Sequence, residues 1–164
     1  EPDEDLSQYY TWLHDTRVTR YLENRFFPTT MNELRLYVES KRREDCLLLG
    51  IHKKYEQGTW WIGNIKLEPI DWIHRRGEIG IMIGNTGMWG KGYATEAISA
   101  LRDYAFNELN LMRLTAGCYA QNEGSAGAFL SAGFLEEGRY RNHIWCEGRY
   151  HDELLFGMLR WDIR

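Results

Sequence analysis

The sequence predicts a mixed α/β (α+β) fold, and three observations carry that expectation. Short apolar runs alternate with segments of helical period, the middle of the chain holds strands in succession, and a strand–helix–strand–helix–strand unit follows. With 164 residues the chain fits a single domain spanning 1–164. A chain of this length buries roughly two thirds of its unfolded surface, enough for a real core.

The elements follow in order. A helix is expected over Asp3–Leu13, where Leu6, Tyr9, Tyr10 and Leu13 fall on one face. A second is expected over Thr30–Arg43, started by Pro28 and the Thr29-Thr30 pair. Cys46–His52 and Thr59–Leu67 read as strands joined by a hairpin turn at Tyr55-Glu56-Gln57-Gly58. Glu78–Ile83 is a third strand, followed by the glycine-bearing loop Gly84-Asn85-Thr86-Gly87. A helix is expected over Gly92–Asn107, then a strand over Leu114–Tyr119. A helix over Asn122–Ala132 is ended by Gly133. Phe134–Tyr140 and Glu153–Leu159 are the closing strands.

Composition narrows the function. Hydrophobic residues make up 43% and charged residues 27%, as in ordinary globular chains. A net charge of −4 argues against a nucleic-acid binder, which needs a basic stripe. No apolar run reaches the ~18 residues of a membrane span, and no signal peptide is evident. Cys46, Cys118 and Cys146 form no C-x-x-C pair and read as reduced thiols of a cytoplasmic protein. The five histidines show no metal-ligand spacing, so no metal is expected. The chain opens on Glu1 and not on Met, so it reads as cut at its N-terminus.

The chemistry concentrates between Glu78 and Glu96. A strand runs into a loop, and the loop opens a helix whose first N–H groups lack partners and carry partial positive charge. Such a junction binds anions, and Gly90 and Gly92 allow close approach of backbone to a phosphate. The other reading is a structural glycine turn. A P-loop is excluded, because Gly92 follows Lys91 where Ser or Thr is needed and Asn85 takes the place of the first glycine. A dinucleotide fingerprint is excluded too, because Thr95 stands where Gly or Ala belongs and Leu114–Tyr119 carries no acid.

The run Trp89-Gly90-Lys91-Gly92-Tyr93-Ala94-Thr95-Glu96-Ala97 resembles the coenzyme A loop of the GNAT superfamily of N-acetyltransferases, in its RimJ/RimL-like branch. That family's loop pattern is Arg/Gln-x-x-Gly-x-Gly/Ala. It matches Gly87-Met88-Trp89-Gly90-Lys91-Gly92 at all but the first position. Leu109-Asn110-Leu111 with Arg113-Leu114, Asn122-x-x-Ser125 with Ala132-Gly133-Phe134, and Glu147–Asp152 agree in order and spacing. The family's usual first strand is not found at the start of the chain.

The resemblance implies a central mixed, mostly antiparallel sheet, splayed between the strands at Glu78–Ile83 and Leu114–Tyr119 and flanked by helices. It implies acetyl-CoA as co-substrate and transfer of acetyl to an amine by direct attack in a ternary complex. Ile81, Met82 and Ile83 would line the pantetheine arm. Met88, Trp89, Gly90, Lys91, Gly92, Tyr93, Ala94 and Thr95 would hold the pyrophosphate. Asn122 would contact the pantetheine, although an N-cap role serves it equally. A backbone N–H at 81–83 would hold the developing oxyanion, a contribution of ~3–4 kcal/mol.

An amine of pKa ~10 must lose a proton before it attacks, so a carboxylate base is expected. Glu78 is the first candidate; the alternative is a surface glutamate paired with Arg75 or Arg76. Glu147 and Asp152 are weaker candidates. Phe129 stands where many members of that family carry a Tyr proton donor, so it reads as packing against the cofactor, and Ser125, Ser131 or water is left to protonate the thiolate. Of Trp60 and Trp61, one ring is expected in the core and the other at an acceptor cleft or a homodimer contact. The acceptor is expected to be a small-molecule amine or amino sugar. The alternatives are a protein N-terminus, or a non-catalytic acyl-CoA-sensing domain.

Overall fold

A computed structural model describes residues 6–162. Six strands form one sheet in the order β1-β2-β3-β4-β6-β5: β1 (Leu47–Tyr55), β2 (Gly58–Asp71), β3 (Arg76–Ile83), β4 (Arg113–Tyr119), β5 (Leu135–Cys146) and β6 (Arg149–Leu159). Every neighbouring pair is antiparallel except β3–β4. That parallel pair is joined by the long helix α4 (Tyr93–Asn107), the crossover that parallel strands need. The expected mixed, mostly antiparallel sheet flanked by helices is therefore present.

Alternation along the strands gives each face its own task. On β3 and β4, Ile79, Leu114, Ala116 and Cys118 turn to α4 and to α5 (Glu123–Ser131), where they join the main core. Phe106, Phe129, Phe134 and Phe156 are fully buried there. Each such ring contributes roughly 1.5–3 kcal/mol of burial. The opposite face carries a smaller cluster. Tyr9 and Trp12 of α1 (Ser7–Leu13), Val18 of α2 (Thr16–Thr19) and Leu34 of α3 (Met31–Ser40) pack with Trp61 and Met82. Trp61 is thus the core-side ring of its pair, and Trp60 is exposed beside Tyr55.

Several boundaries differ from expectation. The first helix begins at Ser7; the Asp3–Asp5 part of its expected span lies outside the described residues. The second helix is set by a Thr30–Glu33 capping box and stops at Ser40. Strand β2 continues through Pro69 to Asp71, with a register shift between Leu67 and Ile70 that accommodates the proline. The last strand starts earlier than expected. Only Glu147 and Gly148 turn, both at positive φ, and Arg149 already belongs to β6. The helix α2 and a 3-10 turn at Glu23–Phe26 were not anticipated.

Candidate active site

Strands β3 and β4 pair only through Arg76–Arg113, Gly77–Leu114 and Glu78–Thr115. Beyond Glu78 they separate, β3 running on to Ile83 and β4 to Tyr119. The right-handed twist of the sheet, with no further rungs to hold the strands together, opens a V. Its inner edges present main-chain groups that lack a strand partner on that side. The expected splay is there.

At the mouth of the V, β3 passes into the glycine loop. The Asn85 side chain accepts from Gly87 N at 3.0 Å, the Trp89 indole donates to the Ile83 carbonyl at 2.8 Å, and Lys91 Nζ donates to the Gly87 carbonyl at 2.6 Å. These bonds fix the loop so that Gly90 and Gly92 sit at φ +69° and +84°. A Cβ at either glycine would meet no atom of the described residues within 4 Å, so the loop borders open space. Helix α4 starts without a side-chain cap, and its first helical bond runs from Glu96 N to the Gly92 carbonyl at 3.0 Å. The N–H groups of Tyr93, Ala94 and Thr95 therefore have no helical acceptor, and they form the positive end of a helix of 15 residues. A diphosphate fits this environment. Lys53 of β1 lies 5.6 Å from the Tyr93 ring and adds positive charge nearby, which the sequence could not reveal because the contact is tertiary.

Inside the V lies a cavity of ≈ 990 Å³. Ile79 to Met82 form one wall, Gly117 to Tyr119 another, and Asn122, Ser125 and Phe129 of α5 a third. Ile81, Met82, Asn122, Ser125 and Phe129 are therefore brought together around one cavity, while Ile83 lies outside this wall. Asn122 accepts from Ser125 N at 3.2 Å, so it caps α5 and also faces the cavity. Phe129 is 1% exposed, stacked at 5.7 Å on Phe156, and lines the cavity from the core side. Ser131 sits exposed on the last turn of α5, away from the cavity, which leaves Ser125 as the hydroxyl of that helix facing it. Burial pushes the Cys118 thiol up to about 11, so it is protonated and inert near neutrality.

The opposite side of the cavity is acidic. Glu23 and Glu33 line it from the helical layer and Glu153 from β6, against Lys66 of β2. Glu78 stands at the closed end of the V and is not part of the wall. Its carboxyl is raised above the usual range, chiefly by desolvation at its base and further by Glu153, with Lys66 opposing. Neither neighbouring arginine pairs with it: Arg75 bonds Asn110, and Arg76 lies 3.3 Å from Asp71. Glu147 and Asp152 are committed elsewhere. Glu147 pairs with Arg20 at 2.8 Å, and Asp152 accepts from Asn142 N at 3.0 Å.

The 3-10 turn at Glu23–Phe26 was invisible to periodicity, yet it closes the cleft. Arg25 fixes it, donating to the Leu22 carbonyl at 2.8 Å, the Tyr119 hydroxyl at 2.6 Å and the Trp145 carbonyl at 2.7 Å. The Tyr119 hydroxyl donates in turn to Glu23. Burial raises this phenol to about 12.

Known proteins share this arrangement. A family model described as an acetyltransferase (GNAT) domain matches residues 1–135. The chain is 37% identical over 159 residues to the uncharacterized N-acetyltransferase p20 of Bacillus licheniformis, covering 94% of this chain and 85% of that protein. It is 34% identical over 91 residues to a spermidine N(1)-acetyltransferase of Vibrio cholerae, covering 56% of this chain and 52% of that one. Among solved structures, the spermidine N-acetyltransferase from Vibrio cholerae in complex with CoA and spermine superposes with a TM-score of 0.83. That match is at 26% identity and covers 98% of this chain and 92% of that one. An acyltransferase that takes acetyl-CoA as its donor is the enzyme such a match describes, and the splayed strands and open glycine loop are its recognisable parts. On the family model's match over most of its length, this chain belongs to the GNAT acetyltransferase family.

Proposed function

We propose that the protein transfers acetyl from acetyl-CoA to a small cationic primary amine by direct attack in a ternary complex. The observation that carries this reading is the end of β3–β4 pairing at Glu78–Thr115, which opens a strand-shaped slot next to an uncapped helix N-terminus. The diphosphate would rest on the N–H groups of Tyr93–Thr95, with Met88–Gly92 wrapped around it. The pantetheine arm would run along β3 past Met82 and Ile81 toward Gly80. A main-chain N–H of that stretch would stabilise the oxyanion as the amine attacks.

The acceptor class follows from charge. Three carboxylates face the cleft against one lysine, which favours a cationic amine over an anionic substrate such as a phosphorylated amino sugar. Likeness to enzymes named for spermidine supports a small amine. An amino sugar without phosphate satisfies the same charge argument. The proton lost by the amine would go to one of the two carboxylates flanking the V, Glu78 or Glu153.

The test is calorimetric titration with CoA followed by thiol release from acetyl-CoA with spermidine, ethanolamine and glucosamine. Binding with turnover is expected. Binding with no turnover would make the protein an acyl-CoA sensor, and no binding would remove the reading altogether.

A further inference from the structure

We propose that Glu153, backed by His143, is the base that takes the proton from the acceptor ammonium; the proposal rests on the acetyl-transfer reading above. The sequence gives Glu153 no distinguishing motif, and it opens the expected last strand. The fold places it otherwise. Glu153 pairs with Tyr119 across β4–β6, and its side chain leans back over Gly117. Glu153 Oε1 lies 2.8 Å from the point that a Cβ on Gly117 would occupy. Only a glycine leaves room for the carboxylate there, and Gly117 lies two residues past the last β3–β4 rung, inside the opening of the V. Glu78, by contrast, stands on that last rung and does not line the cavity.

The second carboxylate oxygen has its own partner. Glu153 Oε2 is 3.5 Å from His143 Nε2. His143 is aimed there by an irregularity in β5, where Tyr140 pairs with Glu153 and Ile144 with His151, so that three β5 residues face the single β6 residue Asp152. Asp152 holds the bulge through Asn142 N at 3.0 Å, with Asn142 at φ +49°. Bulges redirect side chains near active sites, and this one brings an exposed imidazole against a half-buried carboxylate. The carboxylate thus bridges the reacting end of the V and a solvent-facing proton carrier.

The step balances as follows. The acceptor R–NH₃⁺ gives one proton to Glu153, which passes it through His143 to water. The neutral nitrogen bonds to the thioester carbon, and the C–S bond breaks with its electron pair on sulfur. The second nitrogen proton is lost as the tetrahedral intermediate collapses and ends on the CoA thiol. The groups that bear on Glu153 are Lys66 on β2, Glu78 on β3, Cys118 on β4, His143 on β5, and Glu23 and Glu33 across the cleft. Tyr119 is beside it, but its hydroxyl is engaged with Glu23 and Arg25.

The experiment compares wild type, Glu153→Gln, Glu78→Gln and His143→Gln for CoA affinity, melting temperature and the pH profile of kcat/KM. Two nucleophiles are used: the best alkyl amine among spermidine, ethanolamine and glucosamine, and hydroxylamine, which is already unprotonated at neutral pH. Glu153→Gln is expected to bind CoA normally and to lose about 100-fold or more in kcat with the alkyl amine, within the usual range for a base. With hydroxylamine the loss should stay within about threefold, since no base is needed. His143→Gln should lose less and shift the acid limb of the profile. Gly117→Ala, which displaces Oε1 without removing the carboxylate, should reproduce the selective loss. Equal losses for both nucleophiles, or full activity in Glu153→Gln with the loss moved to Glu78→Gln, overturns the proposal and leaves the acetyl-transfer reading intact. A wild type that binds no CoA, or that binds it and acetylates none of these nucleophiles, overturns both.

Discussion

Arg25 Nη2 donates to the main-chain carbonyl of Trp145 at 2.7 Å, tying the turn at Glu23–Phe26 to β5 across the cleft. The same guanidinium reaches the Tyr119 hydroxyl and the Leu22 carbonyl, and its Cζ lies 4.1 Å from the Phe26 ring centroid. One side chain thus holds the roof of the acceptor cleft to its floor. Arg25→Ala should cost about 1–3 kcal/mol of stability through the acceptors it leaves unpaired. It should raise the KM for the amine several-fold while CoA affinity holds, because its bonds run to Leu22, Tyr119 and Trp145 and to none of the glycine-loop residues. Denaturant unfolding and paired titrations check this. Equal weakening of both ligands would mean that the turn supports the whole fold.

Gly92 initiates α4 at φ +84°, and the space beyond its missing Cβ is empty. Gly92→Trp forces a bulky residue into a left-handed conformation at a cost of about 1–3 kcal/mol. The indole would also fill the volume that an anion needs. CoA binding should be lost while a cooperative melt survives. Unchanged CoA affinity in a folded variant would move the diphosphate site elsewhere.

How far the sequence carried depends on the kind of signal. The junction from Glu78 to Glu96 was legible because each residue acts locally: glycines at positive φ, an uncapped helix, a strand of alternating burial. Asn122 was legible as a cap for the same reason. The acceptor side was not. Glu23 and Arg25 sit in a 3-10 turn too short for any period, and Arg25 acts on Tyr119 and Trp145, which are far away in sequence. Glu153 reads as an ordinary strand-start glutamate until β4 places a glycine beneath it. The long reach of β5 to Cys146 was hidden by Asn142 and His143, which look like turn residues and form a bulge.

The carboxyl of Glu78 titrates above its ordinary range because desolvation and Glu153 oppose its charge. The folded state therefore holds its proton more tightly than the unfolded chain. Its contribution to stability is fully present below the unfolded value of about 4.3 and is lost as pH rises through the raised folded value. Glu78→Gln removes that loss. The variant should melt slightly above wild type near neutral pH, with the gap closing as pH falls toward about 4. Water at this exposed position keeps the effect small. A gap that widens on acidification would mean that Glu78 is stabilised as a charge, as in an ion pair.

Cys46, Cys118 and Cys146 are all buried and unpaired, and burial raises the Cys46 and Cys118 thiols. Alkylation by iodoacetamide needs the thiolate and access to it. In the folded protein none of the three should react in the time that the denatured chain takes to react fully, as read by mass spectrometry. Rapid labelling of Cys118 in the native protein would show that the V opens to its floor without ligand.

Asn24 presents the reverse case, a polar group that the fold leaves unserved. Both its amide oxygen and its amide nitrogen are buried and have no hydrogen-bond partner among the described residues, although the residue borders the acceptor cleft. Each orphaned group costs about 1–3 kcal/mol, and Arg25, next in sequence, holds the turn so that the amide cannot turn outward to water. An amide that no protein group satisfies, on the border of a binding cleft, is available to a polar ligand. Asn24→Leu, close in size and apolar, should therefore stabilise the protein by about 1 kcal/mol or more and raise the KM for the amine, a trade of affinity for stability. Chemical denaturation and acceptor titration of the same preparation read both effects. If the variant is instead destabilised, the amide is hydrogen-bonded to ordered water in solution, and its place at the cleft is structural.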